Sequence, residues 1–140
     1  MNEDVRRTVE LAYERWNSGD VELFLESVHP DVIWEPSGAF PGIAIRYDGH
    51  PGVRRFWDDF MTPWDEMTLE LTELVVLETD TALARVRFRA CGREGIEVEH
   101  TFGQHYEIRD GLLHRMRSYA SWDDAVLATR PSDRVSQPGE

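Results

Sequence analysis

The chain has 140 residues, 41% of them hydrophobic and five of them tryptophan, which is one domain with enough apolar surface to bury a core. Its net charge is −12 and its fifteen basic residues are all arginine. That balance argues against a basic stripe for nucleic acid or a patch for an anionic membrane, and the absence of lysine removes Schiff-base and amine-base chemistry. No apolar run approaches the roughly 20 residues that span a bilayer. The charged start MNEDVRRTVE is unlike a secretory leader, and the lone Cys91 has no internal disulfide partner, so a cytoplasmic location is expected.

From Glu3 to Asn17, residues Val5, Val9, Ala12, Tyr13 and Trp16 recur at helical spacing. Ser18-Gly19 ends that helix, and Asp20 caps a short second one with Val21, Phe24, Leu25 and Val28 on one face. His29-Pro30-Asp31 breaks it, and DVIWEP reads as a short strand stopped by Pro36. Residues 37–48 form a Gly/Pro-rich loop. A third helix is predicted from about Pro51, with Val53, Phe56, Trp57, Phe60 and Met61 as its apolar side. From Met67 the period becomes two, predicting strands over 67–77, 81–91, 97–109 and 112–120, with a turn at Asp110-Gly111. A short helical end over 121–128 and a disordered polar tail over 129–140 complete the chain. Helices followed by an antiparallel meander make an α+β domain, residues 1–128.

The stretch EVEHTFGQHYEI, 97–108, shows what the strands do. Side chains alternate along a strand, so Val98, His100, Phe102, Gln104, Tyr106 and Ile108 share one face. Ala82, Ala84, Val86, Phe88 and Ala90 match them on the preceding strand. These faces are expected to point toward the helices. Glu97, Glu99 and Glu107 are then expected to lie outside beside Arg85, Arg87, Arg89, Arg115 and Arg117 as a surface charge ladder. His100, Gln104 and His114 are the polar residues left on the inner face. Two histidines without a carboxylate make a poor divalent site, so no metal is expected. No Ser-His-Asp order, nucleotide-binding glycine loop or CxxC pair occurs, and no cofactor is expected.

The order helix, NSGD, short helix, HPDVIWEP, Gly-rich loop, GHPGVRRFW, four strands and EIRDGLLHRMRSY resembles the nuclear transport factor 2-like superfamily over about residues 3–128. Its SnoaL-like and ketosteroid-isomerase-like branch is the most similar. The resemblance implies a cone-shaped, curved antiparallel sheet covered by three N-terminal helices, with a pocket between them. It also implies pairing of two copies through the outer face of the sheet, where Tyr119 and Leu113 join the charge ladder.

For the site, the resemblance implies a general base directly before a proline at the end of the first strand, which is Glu35 here. It places an oxygen-binding group at Gln104, with His100 as the alternative. The tyrosine of the isomerases falls at Ala12, with Tyr13 one step off that face, so the oxyanion tyrosine is expected to be missing. Around these groups a small apolar ligand is expected to meet Trp16, Phe24, Trp34, Phe40, Phe56, Phe60, Val86, Phe88, Phe102, Tyr106, His114 and Met116. Two functions follow: proton transfer on a small apolar carbonyl compound, in an isomerase- or cyclase-type enzyme, or non-catalytic binding of a ligand or a partner.

Overall fold

The computed structural model describes residues 2–40, 42–78 and 80–129, so most of the expected polar tail lies outside the described residues. Helix α1 spans Asn2–Asn17 and buries Val5, Val9, Ala12, Tyr13 and Trp16, the predicted stripe. It stops where Gly19 takes a left-handed φ of 83°, a conformation that costs glycine little. Helix α2, Val21–Leu25, starts at Asp20, whose carboxylate accepts from the backbone N–H groups of Glu22 and Leu23 at 3.0 and 3.3 Å.

Strand β1 runs Val28–Glu35 and is longer than predicted. Val28, expected on the second helix, begins this strand instead. Pro30, which cannot donate to a ladder, sits where the pairing with the neighbouring strand shifts register between Val28 and Ile33. After the loop, a two-residue strand β2, Tyr47–Asp48, pairs with β1 and leads into α3, Gly49–Met61. Pro51 occupies the first turn of α3, and Val53, Phe56 and Phe60 are buried.

The long strands follow: β3, Trp64–Glu78; β4, Thr81–Gly92; β5, Glu97–Arg109; and β6, Leu112–Tyr119. They form a meander, and β1 closes onto β6 in parallel, giving the sheet order β2-β1-β6-β5-β4-β3. Asp110 and Gly111 both take positive φ, 56° and 75°, as a primed two-residue hairpin requires. The expected α+β architecture, helices over a curved sheet, is what forms.

The predicted faces hold on the central strands. Ala82, Ala84, Val86, Phe88, Phe102 and Tyr106 are buried, whereas Arg87 reaches Glu70 at 3.7 Å and Glu99 at 3.4 Å outside. Arg85 meets Glu73 at 3.8 Å. The ladder therefore draws glutamates from β3 as well as β5. On β6 the predicted parity holds from Arg115 onward but breaks before it. Glu107 pairs with Arg115 but Ile108 pairs with Leu113, which leaves His114 as an extra residue in a bulge. Leu113, expected outside, is consequently fully buried.

The outer face is also partly covered by the chain itself. Helix α4, Trp122–Ala128, folds back onto it, with Ser121 capping its first turn. Gly103 makes room for this helix: a Cβ there would stand 2.5 Å from that of Ala125.

Candidate functional site

Between α1, α3 and the concave face of the sheet lies a narrow, mostly apolar cavity. Ala12, Tyr13 and Trp16 reach it from α1, Phe24 from α2, Trp34 from β1 and Phe56 with Phe60 from α3. The sheet adds Leu69, Phe102, Gln104, Tyr106 and Ser118, and the loop after β1 adds Pro36 and Phe40. Trp16 packs edge-on against Phe24 at 5.2 Å and Phe24 against Trp34 at 5.8 Å, whereas Phe56 stacks on Phe60 at 5.3 Å. They leave a free volume of about 20 Å³, room for roughly one water molecule.

One wall is polar. The Tyr13 hydroxyl donates to Oε1 of Gln104, and the Tyr106 hydroxyl donates to the same oxygen at 2.8 Å. The two hydroxyls lie 2.8 Å apart, and Gln104 Nε2 donates to Ser118 Oγ at 3.3 Å. Gln104 and Ser118 face each other across β5 and β6, and Tyr106 is two residues along from Gln104, so the pleat presents all three on one side. Tyr13 comes down from α1 to meet them.

Burial pushes the Tyr13 hydroxyl well above its ordinary range, and the neighbouring Tyr106 adds to this. Burial raises Tyr106 likewise, against a smaller lowering by its hydrogen bond to Tyr13. Both therefore stay protonated near neutrality and act as hydrogen-bond donors rather than bases. Three close oxygen contacts share two hydroxyl protons, so a ligand oxygen entering here can draw a proton toward itself while the others rearrange.

The predicted site residues divide. Gln104, Trp16, Phe24, Trp34, Phe40, Phe56, Phe60, Phe102 and Tyr106 line the cavity. Val86, Phe88 and Met116 are fully buried beneath it as core and do not line it. His100 faces inward but stacks on Phe102 at 5.6 Å, beyond the cavity wall.

His114 is not on the inner wall. The bulge turns it toward His29, 4.9 Å away ring to ring. Glu35 does not line the cavity either. Trp34 takes the inward position on β1, so the next side chain points out, where Arg115 holds its carboxylate at 3.2 Å. The Pro36 that follows does line the cavity, which shows how narrowly the geometry separates the two positions.

Sequence reasoning missed Ala12, Tyr13, Pro36, Leu69 and Ser118. Counting back from Gly19 put the tyrosine position at Ala12 and left Tyr13 outside, but both residues line the cavity and Tyr13 reaches the polar wall. A tyrosine extends far enough from a helix to reach a partner that its Cα direction alone does not suggest. Ser118 shares the inward parity of Met116, two residues before it, and alternation alone places it on this wall. Among the described residues, no three His, Cys, Asp or Glu side chains converge as a metal ion would require.

Solved structures share this architecture at low identity. A crystal structure of TerC with polyporic acid is 22% identical over 82% of this chain and 89% of that one, with a TM-score of 0.74. RV0760c from Mycobacterium tuberculosis, in complex with estradiol-17β-hemisuccinate, is 19% identical over 86% of this chain and 95% of that one, TM-score 0.73. An NTF2-like protein from Burkholderia pseudomallei is 21% identical over 89% and 95%, TM-score 0.74. At these identities the likeness is one of fold. No curated protein matches the chain in sequence. The family model of the SnoaL-like domain matches residues 9–116, well over half of the chain. The chain therefore belongs to the SnoaL-like family, within the nuclear transport factor 2-like fold.

Proposed function

We propose that this protein binds a small, largely apolar molecule with a carbonyl or phenolic oxygen directed at the Tyr13–Gln104–Tyr106 cluster. The observation that carries this reading is the pair of protonated hydroxyls meeting one amide at the end of an aromatic cavity. A buried donor pair in apolar surroundings favours an oxygen acceptor and disfavours the same molecule without one. Two structural neighbours hold ring compounds bearing oxygen, which agrees with this reading without fixing a ligand.

The present free volume admits no such molecule, so a side chain must move. Phe40 is the candidate. It comes from the irregular segment after β1 and packs edge-on against Phe60, Phe88 and Phe102 at 4.9–5.1 Å. Its segment is held on both sides. Gly38 lies against the Ser118 carbonyl, which a Cβ would approach to 2.0 Å, and Tyr47 accepts the Ala44 N–H at 3.0 Å. A ligand with one ring takes the place of the Phe40 ring and keeps its aromatic neighbours.

Isothermal calorimetry with two isosteric probes tests the reading. 4-Ethylacetophenone, with one carbonyl, is expected to bind more tightly than 1,4-diethylbenzene, with none. Tyr13→Phe should remove the difference. Equal affinities in the wild-type protein would refute it.

Catalysis by proton transfer is a second reading, favoured by donors placed where an enolate oxygen would form. It needs a base at the cavity, and Glu35 supplies one only if it leaves Arg115 and reverses its face. Binding is the simpler function. Pairing of two copies through the outer sheet is part of the same proposal, now limited to the surface that α4 leaves uncovered. Sedimentation at micromolar concentration tests it, and a clean 16.3 kDa species would refute it. A cytoplasmic location, resting on the single cysteine, also remains proposed; no described helix is long and apolar enough to cross a membrane.

A further inference from the structure

The aromatic end of the cavity is not purely apolar. Trp16 and Trp34 are 4% and 3% exposed, both line the cavity, and the indole N–H of each is buried without a hydrogen-bond partner. A buried unpaired N–H is costly, and native interiors rarely keep one without a use. Here the two residues that carry such groups line one cavity.

They lie apart from the hydroxyl cluster. Trp16 follows Tyr13 by three residues, about 4.5 Å along α1. Trp34 sits on β1, beside Met116 of β6, which in turn faces Tyr106 on β5. Two strand spacings, roughly 10 Å between backbones, therefore separate Trp34 from the strand of Gln104 and Tyr106. The cavity lining thus carries two sets of donor-bearing side chains, the tyrosine pair and the tryptophan pair, with the Phe24 ring touching both tryptophans.

We infer that the ligand is a flat ring compound carrying two hydrogen-bond acceptors at opposite ends, one for the hydroxyl cluster and one for the indole pair. Carbonyl groups fit both positions. Trp16, Trp34 and the two tyrosines all line the cavity, and no carboxylate, imidazole or guanidinium lines it among the described residues. A charged ligand end would be buried without a counter-charge, so the acceptors are neutral. This inference rests on the proposed binding function and narrows its ligand class.

A third indole N–H, that of the half-buried Trp64, is also unpartnered, but its ring packs on Phe88 at 5.3 Å and does not line the cavity. It serves as the control. The probe series is 1,4-diethylbenzene, 4-ethylacetophenone and 1,4-diacetylbenzene, which keep one shape while carrying no, one and two carbonyls. The full chain is titrated with each by calorimetry, and the indole N–H signals are followed in the nitrogen-15 spectrum.

The second carbonyl is expected to tighten binding by about tenfold, the factor that corresponds to 1.4 kcal/mol. That gain should disappear in Trp16→Phe, Trp34→Phe or both, and persist in Trp64→Phe. The affinity of 1,4-diethylbenzene for each variant reports any loss of packing separately. In the wild-type protein, the Trp16 and Trp34 N–H signals should move downfield only with the two-carbonyl probe.

Two results overturn the inference while leaving the binding function standing. One is a second carbonyl that adds nothing, as a resident water serving both indoles would produce; the other is a gain that survives both cavity substitutions. If instead the first carbonyl adds nothing over 1,4-diethylbenzene, the binding function itself fails, and this inference with it.

Discussion

Removing the two tyrosine hydroxyls, singly and together, tests the polar wall in energetic terms. In Tyr13→Phe, Gln104 Oε1 keeps the Tyr106 hydroxyl at 2.8 Å, so the buried acceptor remains satisfied. The loss is then one hydrogen bond of ordinary worth, about 1 kcal/mol. For a chain of this size that lowers Tm by about 2–5 °C. Tyr106→Phe should cost the same, because Tyr13 still serves Gln104.

The double variant differs in kind. It strips the Gln104 oxygen of both donors and leaves a buried, unsatisfied acceptor, so its cost should reach about 3–4 kcal/mol. The excess over the sum of the singles is a coupling of roughly 1–2 kcal/mol, within the range for residues in one network. Urea unfolding at neutral pH measures all three, and phenylalanine leaves no large void to confuse the result. Additivity within about 0.5 kcal/mol would show that the three side chains do not act as a unit and would refute the geometry.

Three further outcomes are expected. Glu35→Gln should leave 4-ethylacetophenone binding unchanged by calorimetry and cost less than about 1 kcal/mol, since its partner Arg115 is 40% exposed; a large loss of affinity would return Glu35 to the site. Phe40→Ala should lower Tm yet raise ligand affinity and association rate in stopped-flow fluorescence, because the ring no longer has to leave; weaker binding would show that Phe40 is a wall rather than a plug. His105 is pushed below the ordinary imidazole value by burial, with Arg115 and Arg117 adding to this and Glu107 opposing it. Its folded form therefore resists protonation, so its contribution to stability is complete above about pH 6.5 and lost as pH falls through the lowered value. The difference between wild type and His105→Gln in urea midpoint, followed from about pH 7.5 to 5, should show that slope in the wild type alone.

The sequence was most legible where a period had one physical meaning. Alternation on β4 and β5 separated Val86 and Phe88 from Arg87 and predicted both the core and the outer ladder, because a pleat leaves two choices and burial decides between them. Counting failed where one residue changed the phase. The extra His114 reversed the phase at the start of β6, burying Leu113 and removing His114 from the cavity, while Met116 and Ser118 beyond it kept the inward face. No composition signal marks that bulge.

Glu35 shows a related weakness. A position inherited from a resemblance can be right in sequence and wrong by one step of the pleat, which here exchanges a cavity carboxylate for an outer ion pair. Tyr13 erred the other way, since a long side chain crossed the boundary that its backbone position drew. The closure of the cavity by Phe40 was not legible either. Loop length indicated importance, but which ring fills the space depends on packing among Phe60, Phe88 and Phe102, which are distant in sequence.

The most direct test of the central claim, that the Tyr13–Gln104–Tyr106 cluster binds a ligand oxygen, is the infrared stretch of the carbonyl in bound 4-ethylacetophenone. Hydrogen bonding weakens the C=O bond, so the wild-type complex should absorb at lower frequency than the probe in an alkane. In Tyr13→Phe and Tyr106→Phe the frequency should climb back toward the alkane value. A bound carbonyl that absorbs as it does in alkane, or a shift that survives both substitutions, would contradict the account.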